Sequence, residues 1–181
     1  MGEDKALLEL GGQTLLARAL ASVGVVAKTV RIVGETGKFA SFGVVVEDVY
    51  HDRGPLGGIH AALAATSQEL NLMLAVDLPF VESRFLAHLI SVAKKSDATV
   101  TVPRIGGGWQ PLCAVYRRDF LKIAKASLDQ GRNKIDALFA AVRIRVLGEA
   151  DLKRLGFGPE MFRNVNTPEE WARVRDDFER R

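Results

Sequence analysis

Asp77 closes the apolar run Leu72-Met73-Leu74-Ala75-Val76 and is followed by Leu78-Pro79. A carboxylate just past a buried strand sits at the mouth of a sheet. A hard divalent cation such as Mg²⁺ takes oxygen ligands there, commonly one or two carboxylates plus substrate phosphates. A turn or cap aspartate before a proline accounts for the same pattern. Asp48 follows Val44-Val45-Val46-Glu47 and holds a similar place. It can accept hydrogen bonds from a ribose or base, support a metal, or serve as a solvated loop acid. Lys5, in a polar N-terminal stretch, is either a surface lysine or a point cation against a triphosphate. Gly54-Pro55-Leu56-Gly57-Gly58 opens a helix. Its glycines either let a ligand reach the free N–H groups of the helix start or make a tight turn. Asn164-Val165-Asn166 puts two asparagines on one side of an extended segment. They can bind a phosphate or complete a metal shell, while Thr167 and Pro168 are explained by cap chemistry.

Other reactive side chains offer less. His51, His60 and His88 have no spacing that suggests a metal site or a triad. Cys113, the single cysteine, excludes an internal disulfide and a cysteine-cluster metal site, and its apolar run reads as a buried structural thiol. Gly106-Gly107-Gly108 reads as a flexible loop between two strands, where it could also serve as a mobile acceptor loop. Trp109 and Gln110 either shape that rim or pack. There is no Walker-type motif and no complete dinucleotide fingerprint.

The elements that must hold these residues alternate between β-type runs and helical patterns. The runs are Thr29–Val33, Gly43–Val46, Leu72–Val76, Ala98–Val102, Leu112–Tyr116 and Val142–Leu147. The first four read as strands buried on both faces. Leu15, Leu16, Ala19, Leu20 and Val23 recur at helical spacing behind Thr14, a candidate N-cap. Further helices are expected over Pro55–Ala65, around Phe85, Leu86, Leu89 and Ala93, over Phe120–Leu128 and over Ile135–Ala141. The last helix opens with Thr167, Pro168 and Glu170, a capping box. This alternation predicts an α/β fold, a mostly parallel sheet with helices on both faces. Ligands bind such sheets beyond the carboxyl ends of the strands, where Asp48 and Asp77 fall.

Composition sets the outer bounds. The 181 residues are 48% hydrophobic and 26% charged, the ordinary globular balance for one domain. The net charge of +3 is small and the basic residues are scattered apart from the Arg-rich last turn, which argues against nucleic acid as a partner. No apolar run reaches the roughly 20 residues that cross a bilayer, so no membrane role is expected. Gly2-Glu3-Asp4-Lys5 is not a secretory signal, and a cytoplasmic location is the expectation.

Taken in order, these pieces resemble one family. Met1-Gly2-Glu3-Asp4-Lys5 is similar to the later half of its N-terminal nucleotide signature, and Ala6-Leu7-Leu8-Glu9-Leu10-Gly11-Gly12-Gln13-Thr14-Leu15 to the stretch that follows. The resemblance continues through Val46-Glu47-Asp48, Gly54-Pro55-Leu56-Gly57-Gly58, Asp77-Leu78-Pro79, Gln110-Pro111-Leu112 with Ala114-Val115-Tyr116, and Asn164-Val165-Asn166-Thr167-Pro168-Glu169-Glu170. The family is the molybdenum-cofactor guanylyltransferases and their MobA-like relatives. The resemblance implies a glycosyltransferase-A-like nucleotide fold and transfer of GMP from GTP to a molybdopterin-type cofactor, with Mg²⁺ and release of pyrophosphate. It implies Lys5 as the triphosphate lysine, Asp48 as a nucleotide contact and Asp77 as the Mg²⁺ and nucleotide aspartate. Asn164 and Asn166 are implied near the acceptor or metal. Small-molecule nucleotide and molybdenum cofactor are the implied partners, with molybdoenzymes or cofactor-biosynthesis proteins as candidate protein partners.

The sequence departs from the family pattern twice. The Leu-Ala-Gly-Gly half of the signature is not in residues 1–181, so the expectation is one N-terminally truncated nucleotidyltransferase domain without its first central strand and phosphate loop. After Val30–Val33, where relatives can carry an asparagine that touches the nucleotide, stands Gly34. Cytidylyl or sugar-phosphate nucleotidyl transfer on the same fold, and a non-catalytic cofactor- or partner-binding relative, remain open alternatives.

Overall fold

A computed structural model describes residues 4–165 and 167–179. Asp4 caps a single 3₁₀ turn, Lys5–Leu7, its Oδ1 accepting the Ala6 N–H at 3.1 Å. A short hairpin follows: β1 (Glu9–Leu10) and β2 (Gln13–Thr14), turned by Gly11 and Gly12 at φ +60° and +74°. Those angles are left-handed and cost glycine nothing. Thr14 then caps α1 (Leu15–Gly24), its Oγ1 accepting the Ala17 N–H at 3.1 Å. The chain continues through β3 (Ile32–Val33), α2 (Thr36–Phe39), β4 (Val45–Val46) and α3 (Gly54–Ala64). Next come β5 (Leu70–Leu74), α4 (Ser83–Lys94), β6 (Val100–Ile105), β7 (Gly108–Trp109) and β8 (Cys113–Arg117). The last elements are α5 (Phe120–Asp129), α6 (Ile135–Phe139), β9 (Ile144–Gly148), α7 (Glu149–Arg154) and α8 (Pro168–Glu179).

The main sheet has five strands in the order β5-β8-β6-β9, with β7 folded back on the end of β6. β6 and β9 are parallel; β8 runs antiparallel to both β5 and β6. So β5, β6 and β9 share one direction, as the strand–helix alternation predicts, and β8 alone among them opposes it. The reason is a hairpin. Gly106 and Gly107, at φ +57° and +77°, turn β6 into β7 within two residues, and the chain returns as β8. The glycine run expected to be a flexible loop is therefore a tight turn.

Helices cover both faces. Along β8, Cys113 and Val115 point into a cluster with Phe85, Leu86 and Leu89 of α4. Ala114 and Tyr116 point the other way, into a cluster with Leu56, Ile59 and Leu63 of α3 and Phe120, Ala124 and Leu128 of α5. This is the two-residue alternation of a strand sealed on both sides. Each fully buried leucine contributes roughly 1.5–3 kcal/mol relative to exposure. Cys113 lies within the first cluster, where burial pushes its thiol up to about 12; it is a packing residue.

β3 and β4 stand apart as a two-stranded parallel sheet, Ile32 opposite Val45 and Val33 opposite Val46. Both are shorter than the apolar runs that contain them. The expectation that the first four strands are buried on both faces holds for β6 alone, where Val100 and Val102 on one face and Thr101 and Pro103 on the other are all buried. β5 is half-buried at every residue because, among the described residues, it is an edge strand. Val33 is exposed while Ile32 is buried. Among the described residues no helix is long and apolar enough to cross a membrane.

Candidate active site

Asp77 lies three residues past β5, in a turn, with Leu78 buried behind it. The extended segment before α8 comes alongside: the Val165 N–H donates to the Asp77 carbonyl at 3.1 Å. Val165 is fully buried with Leu10, Leu15 and Val174, so α8 and the β1–β2 hairpin clamp the segment from both sides. Phe178 of α8 rests so close on Gly11 that a Cβ there would sit 2.2 Å from its ring. Asn164 is exposed beside this contact, and Asn166 falls outside the described residues. Thr167 and Glu170 form the expected capping box: the Thr167 N–H donates to Glu170 Oε2 at 3.0 Å and the Glu170 N–H to Thr167 Oγ1 at 3.1 Å.

Lys5 is brought to the same place by the 3₁₀ turn. Ala6, next to it, is buried with Leu16, Ile32 and Phe39, and Val45 and Val76 pack against them. That one cluster collects the immediate neighbours of Lys5 and Asp77 together with β3 and β4, which lead to Gly34 and Asp48. Burial pushes the Asp77 carboxyl above its ordinary value, while the Lys5 ammonium and a backbone hydrogen bond pull it back down. A half-buried carboxylate with one lysine to offset it is a place that favours further positive charge. Among the described residues no group of three or more His, Cys, Asp or Glu could cage a metal ion. A cation held here would rest on one carboxylate and a ligand's own phosphates, which is the donor set Mg²⁺ accepts.

Asp48 stands past β4, against the start of α3. Its Oδ1 accepts the Tyr50 N–H at 2.8 Å, and a Cβ on Gly57 would lie 2.5 Å from its Oδ2. Gly57 therefore exists as glycine to admit this carboxylate. Gly34 is likewise explained by packing. A Cβ there would come within 2.8 Å of the buried Phe39 ring, so any larger side chain would have to displace that ring. The Gly34 N–H continues the β3–β4 pairing by donating to the Val46 carbonyl at 3.0 Å.

Two side chains beside this region, His60 and Tyr50, take their setting from partners distant in sequence. His60 of α3 is buried, and its Nδ1 has no hydrogen-bond partner among the described residues. Its ring meets Tyr50 edge-on at 4.9 Å. Burial holds the imidazole below its usual range, with Asp48 and Asp129 opposing and Lys125 assisting. The only sequence signal was a histidine on the apolar side of a helix.

The α/β frame gathers its polar residues past strand ends, where ligands bind sheets of this kind. The MobA-like NTP transferase domain matches residues 1–144, and this chain belongs to that family. It is similar to the molybdenum cofactor guanylyltransferase of Desulfosudis oleivorans, with 33% identity over 93% of this chain and 84% of that one. Among solved structures it is similar to molybdopterin-guanine dinucleotide biosynthesis protein A from Archaeoglobus fulgidus, with a TM-score of 0.85 at 23% identity, covering 99% and 93% of the two chains. The 2-C-methyl-D-erythritol 4-phosphate cytidylyltransferase of Thermus thermophilus follows at a TM-score of 0.71 and 17% identity, covering 97% and 94%. At these identities the two structures establish the fold.

Proposed function

We propose that this chain, acting as one nucleotidyltransferase domain, transfers GMP from GTP to a molybdopterin-type molybdenum cofactor and releases pyrophosphate. The observation that carries the reading is the gathering of Lys5 and Asp77 over one apolar cluster with β3 and β4, with Asn164 held beside Asp77. The reaction is a substitution at the α-phosphorus of GTP. A phosphate oxygen of the cofactor forms the new P–O bond, and the bond to pyrophosphate breaks. That oxygen is already ionised, so no strong general base is needed; the work is positioning and offsetting charge.

In this reading Lys5 neutralises the triphosphate and Asp48 accepts a hydrogen bond from the nucleoside. Asn164 and Asn166 serve the acceptor end. Gly34 lies alongside the nucleotide without contributing a side chain. Asp77 would hold Mg²⁺, which supplies Lewis-acid stabilisation of charge on the phosphates. The test is guanylyl transfer to molybdenum cofactor by the chain and by Asp77→Ala, with GTP, CTP and ATP in competition. Mg²⁺-dependent turnover that prefers GTP and is lost in Asp77→Ala is expected. A clear preference for CTP would overturn the guanylyl assignment.

A further inference from the structure

The loop between β4 and α3 holds Asp48, and its conformation needs outside support. Asp52 takes φ +59°, unusual for a residue with a side chain, and Gly54 also takes φ +59°. The support comes from α5. The Tyr50 hydroxyl donates to Asp129 Oδ1 at 2.5 Å. Lys125, one helical turn before Asp129, donates to Asp129 Oδ2 at 2.7 Å and to the Tyr50 hydroxyl at 3.4 Å. The hydrogen bond from Lys125, then that from Tyr50, holds the Asp129 carboxyl below its ordinary range; Lys125 in turn is raised by its bonds to Asp129 and then to Tyr50. The Tyr50 ring stands on the edge of buried His60, so it is braced along its length. The Tyr50 N–H, at the other end of the residue, donates to Asp48 Oδ1. Tyr50 thus links a site carboxylate to a helix 79 residues further along the chain.

We infer that Tyr50 and Asp129, with Lys125, are positioning residues for nucleotide binding, holding the Asp48 carboxylate toward the nucleoside from a helix that does not itself reach the site. The inference rests on the proposed role of Asp48. A stabilising role is a poor account of the same contacts: Asp129 and Lys125 are about half exposed, and exposed pairs of this spacing add little to folding. Their geometry instead fixes one hydroxyl, and through it one loop.

The test is calorimetric titration of Mg·GTP into the chain and into Tyr50→Phe, Asp129→Ala, Asp129→Asn and the double variant Tyr50→Phe/Asp129→Ala. Each of the two truncating variants weakens binding by about 3- to 10-fold, the loss expected for one hydrogen bond of ordinary net strength acting through the loop, while thermal melts stay near the parent's. The double variant binds no worse than either single one, because both remove the same link. Asp129→Asn keeps an acceptor for the hydroxyl and recovers most of the affinity. Parent-like affinity in Tyr50→Phe and Asp129→Ala, or losses that simply multiply in the double variant, would overturn the inference and leave the proposed function standing. A parent chain that takes up no Mg·GTP would overturn both.

Discussion

Replacing Gly57 by alanine puts a methyl carbon 2.5 Å from Asp48 Oδ2 and 3.0 Å from the Tyr50 carbonyl oxygen, where ordinary contact begins at 3.4 Å. The carboxylate must retreat, because it is the freer of the two neighbours. Moving it strains or breaks its hydrogen bond from the Tyr50 N–H, now 2.8 Å. A bond of that kind contributes about 1.5–3 kcal/mol. Alanine in a helix interior gives back about 1 kcal/mol over glycine. The fold should therefore lose no more than about 2 kcal/mol, a drop in urea midpoint of about 1 M at most. Nucleotide affinity should fall further, about 10- to 100-fold, since each 1.4 kcal/mol is a factor of ten and the displaced carboxylate loses its own contact to the ligand. Calorimetry with Mg·GTP reads the second quantity and urea melts the first. Gly24→Ala is the control: it ends α1 in open space, and should leave affinity unchanged. Gly57→Ala binding as well as the parent would refute the placement of Asp48 at the nucleotide. So would a collapse of stability in step with binding, which would mean that the backbone yields and not the carboxylate.

Asp77→Asn should raise the melting temperature at neutral pH. The folded carboxyl is pushed above its ordinary value of 3.8, so the charge is a cost in the native state once pH rises through the folded value. That cost is absent below the ordinary value, and the gain should shrink toward nothing as pH falls to 4; a constant gain across that range would refute burial as the cause. Gly34→Asn should destabilise by about 1–3 kcal/mol through overpacking on Phe39, read by urea melts.

Local chemistry carried the sequence reading furthest. Thr14 and the Thr167–Glu170 box cap the helices they precede, because capping involves residues three apart and no tertiary context. The stripe Phe85, Leu86, Leu89 and Ala93 faces the core for the same reason. What was illegible depends on partners distant in sequence. The apolar run Leu72–Val76 marks a strand, found at Leu70–Leu74, and does not show that one edge is left unpaired among the described residues. Direction was equally hidden: Gly106 and Gly107 reverse β8 through a turn that in sequence looks like any glycine loop. At the candidate site, Asp48 and Asp77 were visible as carboxylates past strand ends. Gly57 was visible only as part of a turn, since its reason is an oxygen brought against it by folding. Tyr50 and Asp129 carry no local signal at all.

The direct measurement is calorimetric titration of Mg·GTP into this chain and into Asp77→Ala, each checked for a cooperative melt. The account predicts saturable, magnesium-dependent uptake by the parent and a loss of at least tenfold in the variant, the removal of one buried charge-assisted contact. Equal uptake by both proteins, or uptake by the parent that is indifferent to magnesium, would contradict it.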